Sequence, residues 1–329
     1  MTNNDQQDAG SVLGSSLSAA VDAVVAADET RDPEAVRDVL ETVSEDGTVT
    51  GEALDEARSD AAQVLATAET RTELAGEALA DAEAVADEAP DLAIVEERID
   101  TYERQLTEIE DRVDRLGDDL QEAVSDDGSA LSVFEAAQTL RQVDREARDA
   151  QQAADELQVD LEEFEHWATD HDVRVDSVRA DLNVIAETVE ELQGAALAVK
   201  DAVDDDAEPD RDVERPDLLW ADTLLRHAVI DLLCDDVRAE VAELRTWARH
   251  EDRGEDWADT ADERIENAEE GLAAVQHRLD TVTQDSWVDR HGDRLDEFGR
   301  TLDDAGLPVD WTDIQAQLQK HRQELQNEN

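Results

Sequence analysis

Apolar residues recur at helical spacing along much of this chain, most sharply after Ala89-Pro90. With Leu92 at position a of a heptad, the a positions are Leu92, Ile99, Leu106, Val113 and Leu120, and the d positions are Val95, Tyr102, Ile109, Leu116 and Ala123. Every one is apolar, and Glu96, Arg98, Glu103, Glu110 and Arg112 flank the seam, the pattern of a coiled-coil helix. Ser125-Asp126-Asp127-Gly128-Ser129 ends it. A second stripe follows at Ala137, Leu140, Val143, Ala147, Ala150, Ala154, Leu157, Leu161, Phe164 and Ala168, with one 3-3 step at 137 to 143 that would overwind it locally. A third runs from Val175 through Val178, Leu182, Ile185, Val189, Leu192, Ala196 and Val199 to Val203.

Thr169-Asp170-His171-Asp172 lies between the second and third stripes. The heptad phase continues through it, which argues for one very long helix. Two capping-type aspartates followed by Val-Arg-Val argue for a break, and the break is the preferred expectation. Residues 91–204 then hold three helices of similar length, the proportions of an up-down-up bundle or three-stranded antiparallel coiled coil that folds alone.

Before this segment, residues 1–10 read as a disordered terminus and residues 11–90 as a small Ala-rich helical region. Asp32-Pro33 has the form of an N-cap followed by a proline at the first helical position, with Val36, Val39, Leu40 and Val43 on the buried face. A turn at Ser44-Glu45-Asp46-Gly47 leads to a helix starting near Thr50. Asp46-Gly47-Thr48-Val49 has the look of the centre of a calcium loop, but that register puts Thr42 at position 1 and Ala53 at position 12, removing two required ligands. Residues 205–216, with two prolines, dense charge and no period, read as a linker. Beyond them, residues 217–329 predict a helical domain carrying Trp220, Trp247, Trp257, Trp287 and Trp311. Its helices run from about Leu218 to Arg249, then along Ile265, Ala268, Leu272, Val275, Leu279 and Val282, then along Val288, Leu295, Phe298 and Leu302. Gly306-Leu307-Pro308 reads as a C-cap and stop, and Asp310 as the cap of a last helix with Trp311, Ile314, Leu318 and Leu325. The fold class is all-α: an antiparallel coiled-coil helical bundle with a C-terminal helical domain.

Charge changes the picture. Ninety Asp and Glu stand against 28 Lys and Arg, for a formal net charge of −62 on 329 residues. Such a charge destabilises a compact state by self-repulsion at ordinary ionic strength. In roughly molar salt the Debye length falls to about 3 Å and the carboxylates become a screened, hydrated coat. The composition therefore points to a halophile cytoplasm, with high salt required for folding. It also argues against binding to nucleic acid or to anionic lipid surfaces. Leu, Ile, Val and Phe together lie close to the roughly 20% level below which charged chains fail to fold, but disordered acidic tracts lack the helical period seen here.

Chemistry is sparse. Cys234 excludes an intramolecular disulfide and, within Ala228-Val229-Ile230-Asp231-Leu232-Leu233-Cys234, reads as a small buried hydrophobe. His166 and His171 are turned about 140° from one another on a helix and cannot share an ion. His166 with Asp170, and His250 with Glu251 and Asp252, offer at most a weak metal site. No catalytic, cofactor-binding or metal-ligating residues are assigned, no cofactor is expected, and the chain is read as a non-enzyme. A catalytic alternative would need a polar pocket in the C-terminal domain lined by its histidines and tryptophans.

Asp32-Pro33-Glu34-Ala35-Val36-Arg37 with Asp46-Gly47-Thr48-Val49-Thr50, Ala154-Asp155-Glu156-Leu157-Gln158 through Glu163-Phe164-Glu165-His166-Trp167, and Leu244-Arg245-Thr246-Trp247-Ala248 resemble segments of haloarchaeal proteins that carry the name halo transducer protein. The resemblance implies a role in signal transduction and brings no functional residues. The chain has neither a membrane-spanning run nor the Glu/Ala/Gly-rich hairpin tip of chemoreceptor signalling domains. The expected function is a cytoplasmic coiled-coil interaction or scaffold protein whose partner is another protein or itself, through helix-helix contacts. The alternative is an architectural coiled-coil protein of chromosome or cell-division machinery.

Overall fold

The structure is a computed structural model that describes residues 11–123, 128–204 and 215–327. The expectations for residues 1–10, for Ser125 to Asp127 and for the linker up to residue 214 lie outside the described residues. Among those described the fold is all-α, as the periodicity predicts. Ten helices are joined by one short hairpin: α1 (Leu17–Ala27), α2 (Pro33–Glu41), β1 (Ser44–Glu45), β2 (Thr48–Val49), α3 (Gly51–Ala86), α4 (Ala93–Glu122), α5 (Ala130–Thr169), α6 (His171–Val203), α7 (Pro216–His250), α8 (Asp256–Val282), α9 (Asp285–Asp303) and α10 (Trp311–Asn327).

Two compact units divide the chain: residues 1–84 with 99–164, and residues 85–98 with 165–329. The segment 91–204 is therefore not one unit. Residues 99–164 belong to the first unit, and 91–98 and 165–204 to the second.

In the first unit, Asp32 caps α2 by accepting from Glu34 N–H and Ala35 N–H at 2.9 and 3.0 Å. The turn after α2 closes a two-residue antiparallel hairpin, with Asp46 (φ 48°) and Gly47 (φ 75°) both left-handed. A pair of positive φ values matches the twist of a tight hairpin, and Asp-Gly is the sequence that accepts it. Val21, Val24, Val36, Leu40, Val43 and Val49 form a small core completed by Val133, Phe134 and Ala137 at the start of α5.

The rest of this unit is an up-down-up set made of α3, α4 and α5. Gln151 Nε2 donates to the Val64 carbonyl at 2.7 Å, and Arg71 pairs with Asp155 at 3.4 Å, so α3 and α5 run in the same direction. Between them in sequence runs α4, where Leu106 packs over Gly76 and Tyr102 meets Phe164 edge-on at 5.8 Å. All ten predicted seam positions from Leu92 to Ala123, along and just beside α4, are buried or half-buried, and all ten of α5 are buried. The expected trio was one helix out of phase. It opens with α3, whose seam Ala61, Leu65, Ala68, Thr72, Ala75, Leu79 and Ala82 keeps strict 4-3 spacing with small side chains.

A second up-down-up set, α6, α7 and α8, forms the body of the other unit. Arg226 of α7 pairs with Glu191, and Glu251 pairs with Arg174, which makes α6 and α7 antiparallel. Arg238 pairs with Glu269 and Arg245 with Asp262, which makes α7 and α8 antiparallel. Gly271 sits where α8 presses closest on α6, since a Cβ there would lie 2.5 Å from Val189 Cγ1. The preferred break is present: Asp170 is extended and its side chain accepts from Asp172 N–H at 2.8 Å.

Two C-terminal details differ from expectation. The buried face of α9 carries Trp287, His291, Phe298 and Leu302, while Val288 is exposed. The stripe starts one residue earlier, because the indole buries more apolar area than the valine. The C-cap of α9 is Asp304 in right-handed conformation, so Gly306 is not the left-handed cap. Asp310 does cap α10, accepting from Thr312 N–H at 3.1 Å.

Candidate functional site

An open recess and a filled network both collect polar side chains, and they differ in kind. The first is an open recess of about 750 Å3 in the first unit, between α3 and α5 beside the hairpin. Its floor is Ala53, Ala57, Ala61 and Val64 of α3 with Leu140 of α5, positions one helical turn apart that present small side chains. Its rim is charged: Glu45, Glu56, Asp60 and Asp144 face Arg141 and Arg148. Asp144 holds Arg148 through two bonds, at 2.7 and 3.2 Å. A second recess of about 480 Å3 shares Arg148 and Gln151 and extends along α5 to Val159 and Asp160. Val159 is 52% exposed, an apolar side chain presented to solvent at the end of this track.

The second is a filled network in the other unit. Arg174 is 1% exposed, and its guanidinium lies 3.9 Å over the Trp247 ring. It donates to the Trp167 and Ala168 carbonyls at 3.2 and 2.8 Å and to both carboxylate oxygens of Glu251 at 2.6 Å. Nη1 thus serves the two carbonyls and Nη2 the carboxylate while the plane stacks on an indole, a combination that arginine supplies and lysine does not. Trp167 meets Trp247 edge-on at 5.6 Å, and Arg98 stacks on Trp167 at 4.0 Å. His171 reaches Glu251 at 3.8 Å and packs against Trp257. Two segments that carry the resemblance, around Trp167 and Trp247, thus meet here. Trp247 and Trp257 of the C-terminal segment converge here with Trp167 and His171, in a packed stack whose guanidinium and carboxylate hold one another.

Nearby on α7, Asp236, Glu240 and Glu243 form a carboxylate stripe. Glu243 accepts from Ile94 N–H at 2.8 Å, Glu240 pairs with Arg98 at 3.4 Å, and Asp236 accepts from Val309 N–H at 3.1 Å and Trp311 Nε1 at 2.8 Å. Burial, with Asp181, Asp236 and Glu243 adding repulsion against the pull of Arg98, pushes the Glu240 carboxyl up to about 7. Asp217 is shifted the other way. Arg215, His291 and Arg290 all bond its buried carboxylate and hold it far below the usual range.

Cys234 is fully buried, and burial pushes its thiol up to about 12. His166 is exposed, and among the described residues no group of three His, Cys, Asp or Glu side chains is arranged to hold a metal ion. No helix of the described residues is long and apolar enough to cross a membrane. Arg98, Arg174, Asp181 and Glu240 have no signature in the sequence. Arg174 stands next to a seam valine like any flanking charge, and its partner Glu251 is 77 residues away.

Comparison with protein-family models, with curated proteins and with solved structures finds no match.

Proposed function

We propose that this is a non-enzymatic interaction or scaffold protein of a salt-rich cytoplasm, which seats a helix of another protein, or of a second copy, along α3 and α5. The observation that carries the reading is the open track from the hairpin to Val159: alanines of α3 floor its first recess, and its second runs along polar side chains of α5 to an exposed valine. Small floor residues let a helix backbone approach closely, and a helix laid on them buries apolar area. Burial of that kind is strengthened in high salt, where contacts built on counterion release fade. Arg174, the buried tryptophans and Cys234 of the other unit serve packing in this reading. The resemblance to halo transducer proteins adds signal transduction as the process such a scaffold would serve.

The test is a photo-crosslinking residue placed singly at Asp60, Val159 or the exposed Thr107 of the full chain, in halophile lysate at roughly molar KCl. Protein adducts should concentrate at Asp60 and Val159. Equal yields at all three positions would refute the reading.

A further inference from the structure

The first residues of α4 are held from a distance of well over a hundred positions by α7. Glu243 accepts from Ile94 N–H at 2.8 Å, standing in for a helix cap, and Glu240 Oε1 accepts from Arg98 Nη2 at 3.4 Å, a bond that a protonated carboxyl keeps through its carbonyl oxygen. Arg98 is pinned in turn by the Trp167 ring at 4.0 Å. The charges around this contact do not balance. Arg98 is the cation from α4, while Asp181 from α6 and Asp236, Glu240 and Glu243 from α7 all face it or one another. One guanidinium cannot compensate four carboxylates in a place poor in water. Asp236 is engaged by Val309 N–H and Trp311 Nε1 and Glu243 by Ile94 N–H, whereas Glu240 sits between them with Arg98 and Asp181 as its charged neighbours. Glu240 is the carboxyl best placed to hold a proton.

We propose that residues 92–98 form a proton-controlled clasp on α7: a proton held at Glu240 closes the segment, and its loss as pH rises loosens it. The carboxyl's own tendency agrees, since it stays protonated up to about 7 against an ordinary 4.5. The direction follows from linkage. The closed segment binds a proton that the open segment releases, so the contribution to closure is complete below 4.5 and is lost as pH rises through about 7. Asp181, also raised by burial, acts in the same direction.

The test is amide hydrogen exchange of residues 94–98 in the full chain at fixed molar KCl, corrected for intrinsic rates. Opening should increase roughly tenfold between about pH 6 and pH 8, and Glu240→Gln should remove most of that dependence, leaving the part due to Asp181. Coincident pH profiles for wild type and variant would overturn the clasp. Should Glu240→Gln fail to fold, carboxyl 13C titration of the wild-type protein, assigned with Glu240→Asp, decides. A midpoint near 7 supports the proposal, and one near the ordinary 4.5 overturns it.

Discussion

Leu106 and Thr107 are adjacent residues with opposite fates. The leucine is 9% exposed on the α4 seam and meets Gly76, while the threonine faces solvent. Leu106→Asp should cost about 2–5 kcal/mol or more, because it loses the burial of the leucine and leaves a charge in its place. Thr107→Asp should stay within about 0.5 kcal/mol. Urea melts at constant KCl measure both, and equal losses would mean that the seam is misplaced. The seam could be read from the chain because a large aliphatic residue at every a and d position leaves one solution for the helix face. The Arg174 stack could not. Its partners come from the end of α5, from α7 and from the loop after it, and nothing at Arg174 itself separates it from the other arginines on helix faces. Glu240 was hidden for a related reason. Among ninety acidic side chains, the one enclosed by others is identified only by what folds over it.

At the scale of elements, the period told which residues face inward but not which helices face each other. Four helices in a row, α3 to α6, carry stripes along their length, and any three consecutive ones satisfy the proportions of an up-down-up set. The choice rests on α3. Its alanines bury little area each, so they read as a weak stripe, yet they let neighbouring helices come close. Gly271 makes the complementary choice in the other unit by admitting Val189, which commits the seam of α6 to α8. A fragment of residues 91–204 should consequently melt broadly, because it separates α6 from both α7 and α8 and leaves α4 and α5 without α3. A fragment of residues 165–329 keeps the second trio and should melt as one cooperative transition. Circular dichroism in high salt distinguishes the two, and a sharp transition for 91–204 alone would contradict the pairing.

At the scale of the whole molecule, charge is the term that every local contact must overcome. Ion pairs such as Arg226 with Glu191, Arg238 with Glu269 and Arg245 with Asp262 tie helix to helix, but they use one carboxylate or two per arginine. With a net charge of −62, most acidic side chains have no cation to meet. Exposed pairs of this sort contribute about 0–1 kcal/mol each and weaken as salt is added. They therefore cannot be what holds the chain together in a concentrated electrolyte. The apolar seams can, because their strength grows with salts that are excluded from the surface, while screening removes the repulsion between helices. Two effects of salt thus act in the same direction, and the loss of a few surface pairs opposes them weakly. On dialysis from molar to millimolar KCl, helicity followed by circular dichroism should fall and the melting temperature should drop steadily before it does. The tryptophans of the Arg174 stack should become exposed to a neutral quencher in the same salt range. Full helicity with an unchanged melting temperature at low salt would mean that burial alone outweighs the repulsion, and that the acidic surface serves solubility rather than folding.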